Sequence, residues 1–405
     1  MWPLQTLDVA EVRRAGIAPV PFRQFVLKVH SRCNLACTYC YVYRGADESW
    51  RDRPARVPED VVARTAERIA EHARTHNLSA VHVNLHGGEP LLAGPAPLVG
   101  YTETVRREVR ARVPECQVHA SVQTNATLLT ETAVATLADA GIRIGVSLDG
   151  GTAALNHRRV GHNGRPSWPA ATRGLRHLAR RPEAYAGVLC TIDLASDPVE
   201  VYESLAALEP PSMDLLLPHA NWSAPPPGKP AGRAPARGGP TPYADWLIRA
   251  FDRWFEETAG APPVRLFAEI AGLLLGLPSG AEAVGTSPVA AVVIDTDGAI
   301  EQVDSLKTAY EGAPATGLDV FRHAFDDALD HPGVVARQLG RDALAPTCGT
   351  CPVVAVCGAG NYAHRYLAGQ GFRNPSVYCA DLEKLIRHVA SRLHAVTSNE
   401  YGPQA

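Results

Sequence analysis

The chain has 405 residues, 46% of them hydrophobic, and a formal net charge of −3. That is enough sequence for one large α/β domain and a smaller one around a well-buried core, and so small a charge argues against nucleic acid or an anionic membrane surface as a partner. Residues 1–20 mix Asp8, Glu11, Arg13 and Arg14 with single apolar residues, so neither a signal peptide nor a membrane span is expected there and the protein is predicted to be cytoplasmic.

Residues 1–22 read as a short lead-in ending at Pro19 and Pro21. From 23 to 222, apolar strand-like runs alternate with amphipathic helical patterns. Strands are predicted at 24–31, 80–86, 116–124, 143–148, 186–193 and 213–218, and helices at 59–76, 97–112, 131–140, 169–180 and 199–208. Six strand-then-helix repeats predict a parallel sheet curved into a partial (β/α)6 barrel, whose chemistry belongs at the C-terminal ends of the strands. Residues 223–242 are so rich in proline and glycine, Gly232 and Pro235 among them, that a long loop or flap is expected. Two bridging helices follow within 243–284, at 243–257 (Trp246, Phe251, Trp254 and Phe255 on its apolar stripe) and 266–277. A small cysteine-rich unit is predicted over 285–396. It opens with a hairpin (289–295, turn at Asp297-Gly298, 299–303) and closes with a helix at 382–396; 397–405 is a tail.

Seven of the nine cysteines fall in two clusters. In a reducing compartment such clusters bind metal more often than they form disulfides, whereas Cys116 and Cys190, alone in apolar runs, read as core thiols. The first cluster is Cys33, Cys37 and Cys40, a CxxxCxxC run leaving the end of the first strand. Three closely spaced thiolates ligate three irons of a cubane cluster and leave the fourth open to chelate a small molecule, whereas structural zinc wants four ligands. At the end of the second strand stands Gly87-Gly88-Glu89-Pro90. The glycines permit close approach to a ligand, Glu89 offers a carboxylate to an ammonium group, and Pro90 stiffens the turn. The third and fourth strands end in the polar caps Gln123-Thr124-Asn125 and Ser147-Leu148-Asp149-Gly150.

With Tyr39 directly before the last cysteine of its run, these motifs resemble the radical S-adenosylmethionine (SAM) superfamily. The resemblance implies a [4Fe-4S] cluster on the three cysteines, SAM held by its amino and carboxylate groups on the open iron, the GGEP turn at the SAM amino group, and Ser147, Asp149 and Thr124 around its carboxylate and ribose. Arg158 and Arg159 are further candidates for the SAM carboxylate, since a guanidinium suits that geometry, or else belong to a solvated loop.

The second cluster is Cys348, Cys351, Cys357 and Cys379, whose count alone suits either a fully ligated [4Fe-4S] cluster or zinc. The spacing resembles the SPASM extension of peptide-modifying radical SAM enzymes. Val303 and Asn361 stand where that family has further cysteines, so the resemblance implies one auxiliary cluster and two clusters in all. Asp304 stands where sulfatase-maturing SPASM enzymes have an aspartate that removes a proton; a hairpin aspartate facing water is the alternative. His219, in the run 217–222 after the sixth strand, is a candidate substrate contact or simply a capped or solvent-facing histidine. Residues 301–307, 357–366 and 371–379 resemble the FxsB-type branch. This implies a maturase that abstracts a Cβ hydrogen from a ribosomally made precursor peptide and joins that carbon to an aromatic ring, giving a cyclophane, with Asp304 and the auxiliary cluster taking the proton and the electron. A reducing electron donor is the other partner implied. A thioether crosslink, epimerisation, or oxidation of Ser or Cys are other outcomes of the same radical. A rival from another class is an iron-sulfur or zinc protein that only binds a peptide or senses redox state.

Overall fold

The computed structural model describes residues 1–230, 238–257 and 260–400, without the side chains of 397–400. Gly232 and Pro235 of the expected flap and residues 401–405 of the expected tail lie outside the described residues. The strands are β1 Gln24–His30, β2 Ala80–Gly87, β3 Gln117–Thr124, β4 Ile142–Ser147, β5 Tyr185–Thr191, β6 Met213–Leu216, β7 Ala291–Ile294, β8 Ala299–Glu301 and β9 Ala315–Asp319. Two compact units divide the chain, one made of Leu7–Cys190 and Val289–Gln338, the other of Met1–Thr6, Thr191–Pro288 and Leu339–Ala405.

In the first unit β1 to β5 are parallel neighbours in sequence order, each pair joined by a crossover containing a helix. The helices follow from ordinary signals. Glu59–Thr75 starts on Glu59 and Asp60, which complement the helix dipole, and buries Val61, Thr65, Ala66, Ile69, Ala70, His72 and Ala73 along one face. Glu131–Asp139 is capped by Thr130, whose hydroxyl accepts the Ala133 N–H at 3.1 Å.

On its other edge β1 pairs in parallel with β7, Gln24 opposite Ala291 and Leu27 opposite Ile294, and the antiparallel strands β8 and β9 continue the sheet. The hairpin expected to open a separate cysteine-rich unit is therefore part of the barrel sheet, and residues 289–338 pack with the barrel, because β7 satisfies the edge that β1 would otherwise leave bare. Flanked on both sides, β1 is an almost continuous buried run of Phe25, Leu27 and Val29. The charged exception within it is Lys28, only 3% exposed.

In the second unit lie β6 and the two expected bridging helices, Pro242–Glu256 and Arg265–Leu274. Phe251 packs edge-on to Phe267 at 5.3 Å and to the His388 ring at 5.8 Å, so the aromatic stripe is core. The closing helix, Cys379–Glu400, begins at the last cysteine of the second cluster. Its Asp381 accepts the N–H groups of Tyr243 and Ala244 at 3.0 and 3.1 Å and so caps the neighbouring helix. Among the described residues no helix is long and apolar enough to cross a membrane. Cys116 and Cys190 are buried thiols, as their apolar surroundings predict.

Candidate active site

The chain leaving β1 runs directly into the cysteine loop, and the turn after β2 closes on it. Gly88 N–H donates to the His30 carbonyl at 2.8 Å and Glu89 N–H to the Arg32 carbonyl at 3.0 Å. A Cβ on Gly88 would collide with the Tyr43 hydroxyl and stand 2.5 Å from the Arg32 carbonyl; Gly87, at φ +157°, would collide with the His30 carbonyl. The two glycines thus serve loop-on-loop packing, since backbone cannot step aside for a methyl group. Gly88→Ala is expected to cost about 3 kcal/mol in urea unfolding and to lower the iron bound after reconstitution.

Glu89 has partners within the protein. It is fully buried, and both carboxylate oxygens are engaged within the protein: Oε1 accepts from Thr124 Oγ1 at 2.7 Å and Leu91 N at 3.0 Å, and Oε2 from Asn125 N at 2.8 Å. Burial raises its pKa, and those hydrogen bonds oppose the rise. Glu89 therefore ties the end of β2 to the end of β3, with Pro90 starting the short 3-10 turn that follows. Thr124 spends its hydroxyl proton on Glu89, and Asn125 passes the connection on: its Nδ2 donates to Asn34 Oδ1 at 2.9 Å and lies 3.8 Å from Cys33 Sγ.

Tyr39, Asp149 and Arg159 form a second buried tie. The Tyr39 hydroxyl donates to Asp149 Oδ2, and Arg159 Nη1 donates to the Tyr39 oxygen at 2.7 Å while standing 3.7 Å from Asp149 Oδ1. Arg158 lies over the Tyr39 ring, its Cζ 4.5 Å from the centroid. Neither arginine sits in a freely solvated loop. Ser147 is half-buried and accepts from Gln123 Nε2 at 2.8 Å.

Cys33, Cys37 and Cys40 are free thiols, Cys37 buried and the others half-buried. Burial pushes Cys33 up to about 12, and the nearby Glu89, Cys37 and Cys40 add to the rise. Burial also raises Cys37, against the favourable charge of Arg159. Three thiols crowded on one loop, of which burial keeps Cys33 and Cys37 from ionising as free groups, are a donor set that bound iron satisfies, so these residues fit a three-thiolate [4Fe-4S] site.

In the second unit, Cys348, Cys351, Cys357 and Cys379 line one small cavity. Burial pushes Cys357 to about 12 and Cys379 to about 11. Four converging thiols fit a fully ligated metal site. Asn361 is occupied in capping a turn, its Oδ1 accepting the Ala363 N–H at 2.9 Å. His219, also in this unit, is half-buried, and its Nδ1 lies 3.3 Å from Nε2 of the buried His364.

Asp304 does not face water. It follows β8 in the turn Asp304–Thr308, is buried, and its Oδ2 pairs with Lys28 Nζ, with His86 Nδ1 4.0 Å away. Burial alone would raise its carboxyl, but Lys28, His86 and Lys307 overcome that and hold it below the usual range. Burial and Lys28 push His86 down to about 4, leaving it neutral at pH 7. Oδ1 of Asp304 is buried with no hydrogen-bond partner among the described residues.

The turn is locked to the chain leaving the cysteine loop: Lys307 Nζ donates to Asp47 Oδ2 at 2.9 Å, and Asp47 N–H to the Lys307 carbonyl at 3.0 Å. Tyr41 and Tyr43, just past Cys40, lie within electrostatic reach of both Asp304 and Cys40. Sequence reasoning missed Lys28, His86 and Asp47 as site residues. The available signal was Lys28 itself, because a charge inside a doubly flanked parallel strand requires a buried partner.

Residues 27–183 match the family model of the Radical SAM superfamily. The serine-type anaerobic sulfatase-maturating enzyme of Klebsiella aerogenes is 30% identical over 213 residues, which cover 50% of this chain and 50% of that protein. The chain thus spans about half the length of that relative. The cysteine-type anaerobic sulfatase-maturating enzyme of Clostridium perfringens is 23% identical over 289 residues, 70% of this chain and 74% of that one. Among solved structures, native anSMEcpe with bound AdoMet has a TM-score of 0.75 at 18% identity, covering 93% of this chain and 100% of that one. Streptococcus suis SuiB bound to precursor peptide SuiA has a TM-score of 0.55 at 14% identity, covering 91% and 78%. These likenesses show the fold, an α/β architecture with a mostly parallel sheet.

Proposed function

We propose that this chain, whose residues 27–183 match the Radical SAM superfamily, is a maturase of a ribosomally made peptide, oxidising it by two electrons at a side-chain Cβ and joining that carbon to an aromatic ring. In this reading Cys33, Cys37 and Cys40 hold the [4Fe-4S] cluster that binds SAM, and Cys348, Cys351, Cys357 and Cys379 hold one auxiliary [4Fe-4S] cluster. The chemistry such groups supply when bound is reductive cleavage of SAM to a 5′-deoxyadenosyl radical, abstraction of a Cβ hydrogen by it, and uptake of the electron left after bond formation.

The chain's own residues supply the rest. Oδ1 of Asp304 accepts the ring proton, while Lys28 holds Oδ2 and keeps the carboxylate ionised. Tyr39, Asp149, Arg159, Glu89 and Asn125 hold the loops that carry the cysteines. Ser147 and Arg158 are the proposed SAM contacts, and His219 a proposed substrate contact. The observation that carries the reading is the unpartnered buried Oδ1 of Asp304, locked beside the cysteine loop. The named relatives favour a second outcome of the same chemistry, oxidation of a Ser or Cys side chain to an aldehyde.

Iron content and product analysis test the proposal. Anaerobically reconstituted protein is expected to hold roughly eight irons, falling to roughly four with SAM cleavage lost when Cys33, Cys37 and Cys40 are all changed to Ala. Zinc at Cys348 to Cys379, with about four irons in the parent, would remove the auxiliary cluster from the mechanism. With a peptide offering an aromatic residue near a serine, both outcomes remove two hydrogens, and only the aldehyde reacts with a hydrazide. Absence of SAM cleavage in the reduced protein would leave a non-catalytic metal protein.

A further inference from the structure

On the first unit, the helix Glu59–Thr75 and the short helix Phe325–Leu329 bring together three residues that the proposed chemistry does not use. His72 and His76 lie one helical turn apart, and Asp326 Oδ1 stands 2.7 Å from His72 Nδ1 and 2.9 Å from His76 Nε2. The three donor atoms all lie within 4.8 Å of one another. The two imidazole rings are 4.5 Å apart, and Phe22, Phe25 and Phe325 surround His72 at 5.8 to 6.1 Å.

We propose that His72, His76 and Asp326 form a site for a divalent transition ion of the zinc class. Two imidazole nitrogens and one carboxylate oxygen are ligands of that class, whereas magnesium and calcium prefer oxygen throughout. His72 is 2% exposed, and its Nε2 is buried with no hydrogen-bond partner among the described residues. If both histidines merely donated to Asp326, His72 would carry its proton on Nδ1 and leave Nε2 as a bare buried lone pair. With an ion present, Nδ1 turns its lone pair to the metal and the proton moves to Nε2. The side chains of His76 and Asp326 are 22% and 43% exposed, which leaves room for water as a fourth ligand. An ion here clamps the C-terminal end of the helix Glu59–Thr75 to residues 325–329.

The test is the zinc content of reconstituted full-length protein after dialysis against zinc, beside His76→Gln and Asp326→Asn, both at partly exposed positions that tolerate a polar substitute. The parent is expected to hold about one zinc per chain more than either variant, at unchanged iron content, and zinc is expected to raise the thermal midpoint of the parent alone. The parent-minus-variant difference excludes any zinc on Cys348 to Cys379. Equal zinc in all three proteins, or a parent whose midpoint is insensitive to zinc, overturns the proposal.

Discussion

Asp304→Asn is expected to lower formation of modified peptide by about 100-fold or more while SAM cleavage persists, because a positioned general base contributes roughly 10²–10⁴ and the cysteine loop keeps its own supports. The substitution preserves the shape of the side chain and removes its basicity together with the charge that pairs with Lys28, so the folded fraction of the variant is measured beside its activity. Assaying 5′-deoxyadenosine and peptide product in the same reaction separates the two steps. Full product yield would reduce Asp304 to a counter-ion for Lys28. The pH profile adds a second check. A base acts when unprotonated, and Lys28, His86 and Lys307 hold Asp304 below the ordinary carboxylate range, so the parent keeps product formation down to acidic pH. In Lys28→Met, burial is left with less opposition, and the acid limb is expected to move up toward neutrality.

Lys28→Met carries the other large effect, on stability. Removing one member of a buried pair leaves an uncompensated charge, and a loss of about 3–5 kcal/mol in denaturant unfolding is expected. The double variant Lys28→Met with Asp304→Leu is expected to recover most of that loss, since the penalty comes from the stranded carboxylate and not from the missing pair. The loss should shrink as the pH falls. With its folded pKa depressed, Asp304 stabilises the parent above the unfolded carboxylate range, and that contribution fades as pH drops through the folded value; the single variant, whose folded carboxyl is raised, gains from protonation at higher pH, between that raised value and the unfolded carboxylate range. A penalty that persisted in the double variant would mean that Lys28 acts mainly through packing.

Strand-helix alternation and the CxxxCxxC, GGEP and polar-cap motifs were legible in the sequence because each is local: a period, a spacing or a turn. What the sequence concealed is long-range pairing. Lys28 and Asp304 are 276 positions apart and Lys307 and Asp47 260 apart, and no local pattern couples them. The contacts of Glu89 were hidden for a related reason: its Thr124 and Asn125 partners come from the end of the next strand, so no local pattern announces them. The hairpin at 291–301 was visible as a hairpin, but its docking on β1 is a tertiary fact.

That docking bears on synthesis at the ribosome. β1 is among the first strands to emerge, yet its second partner, β7, follows about 260 residues later. At translation speeds of 5–20 residues per second the nascent barrel spends on the order of 10–50 s with one edge of its central strand open and Lys28 without its counter-ion. The unit is discontinuous in the chain, so the β7 side of its sheet closes only after the intervening residues 191–288 have been made.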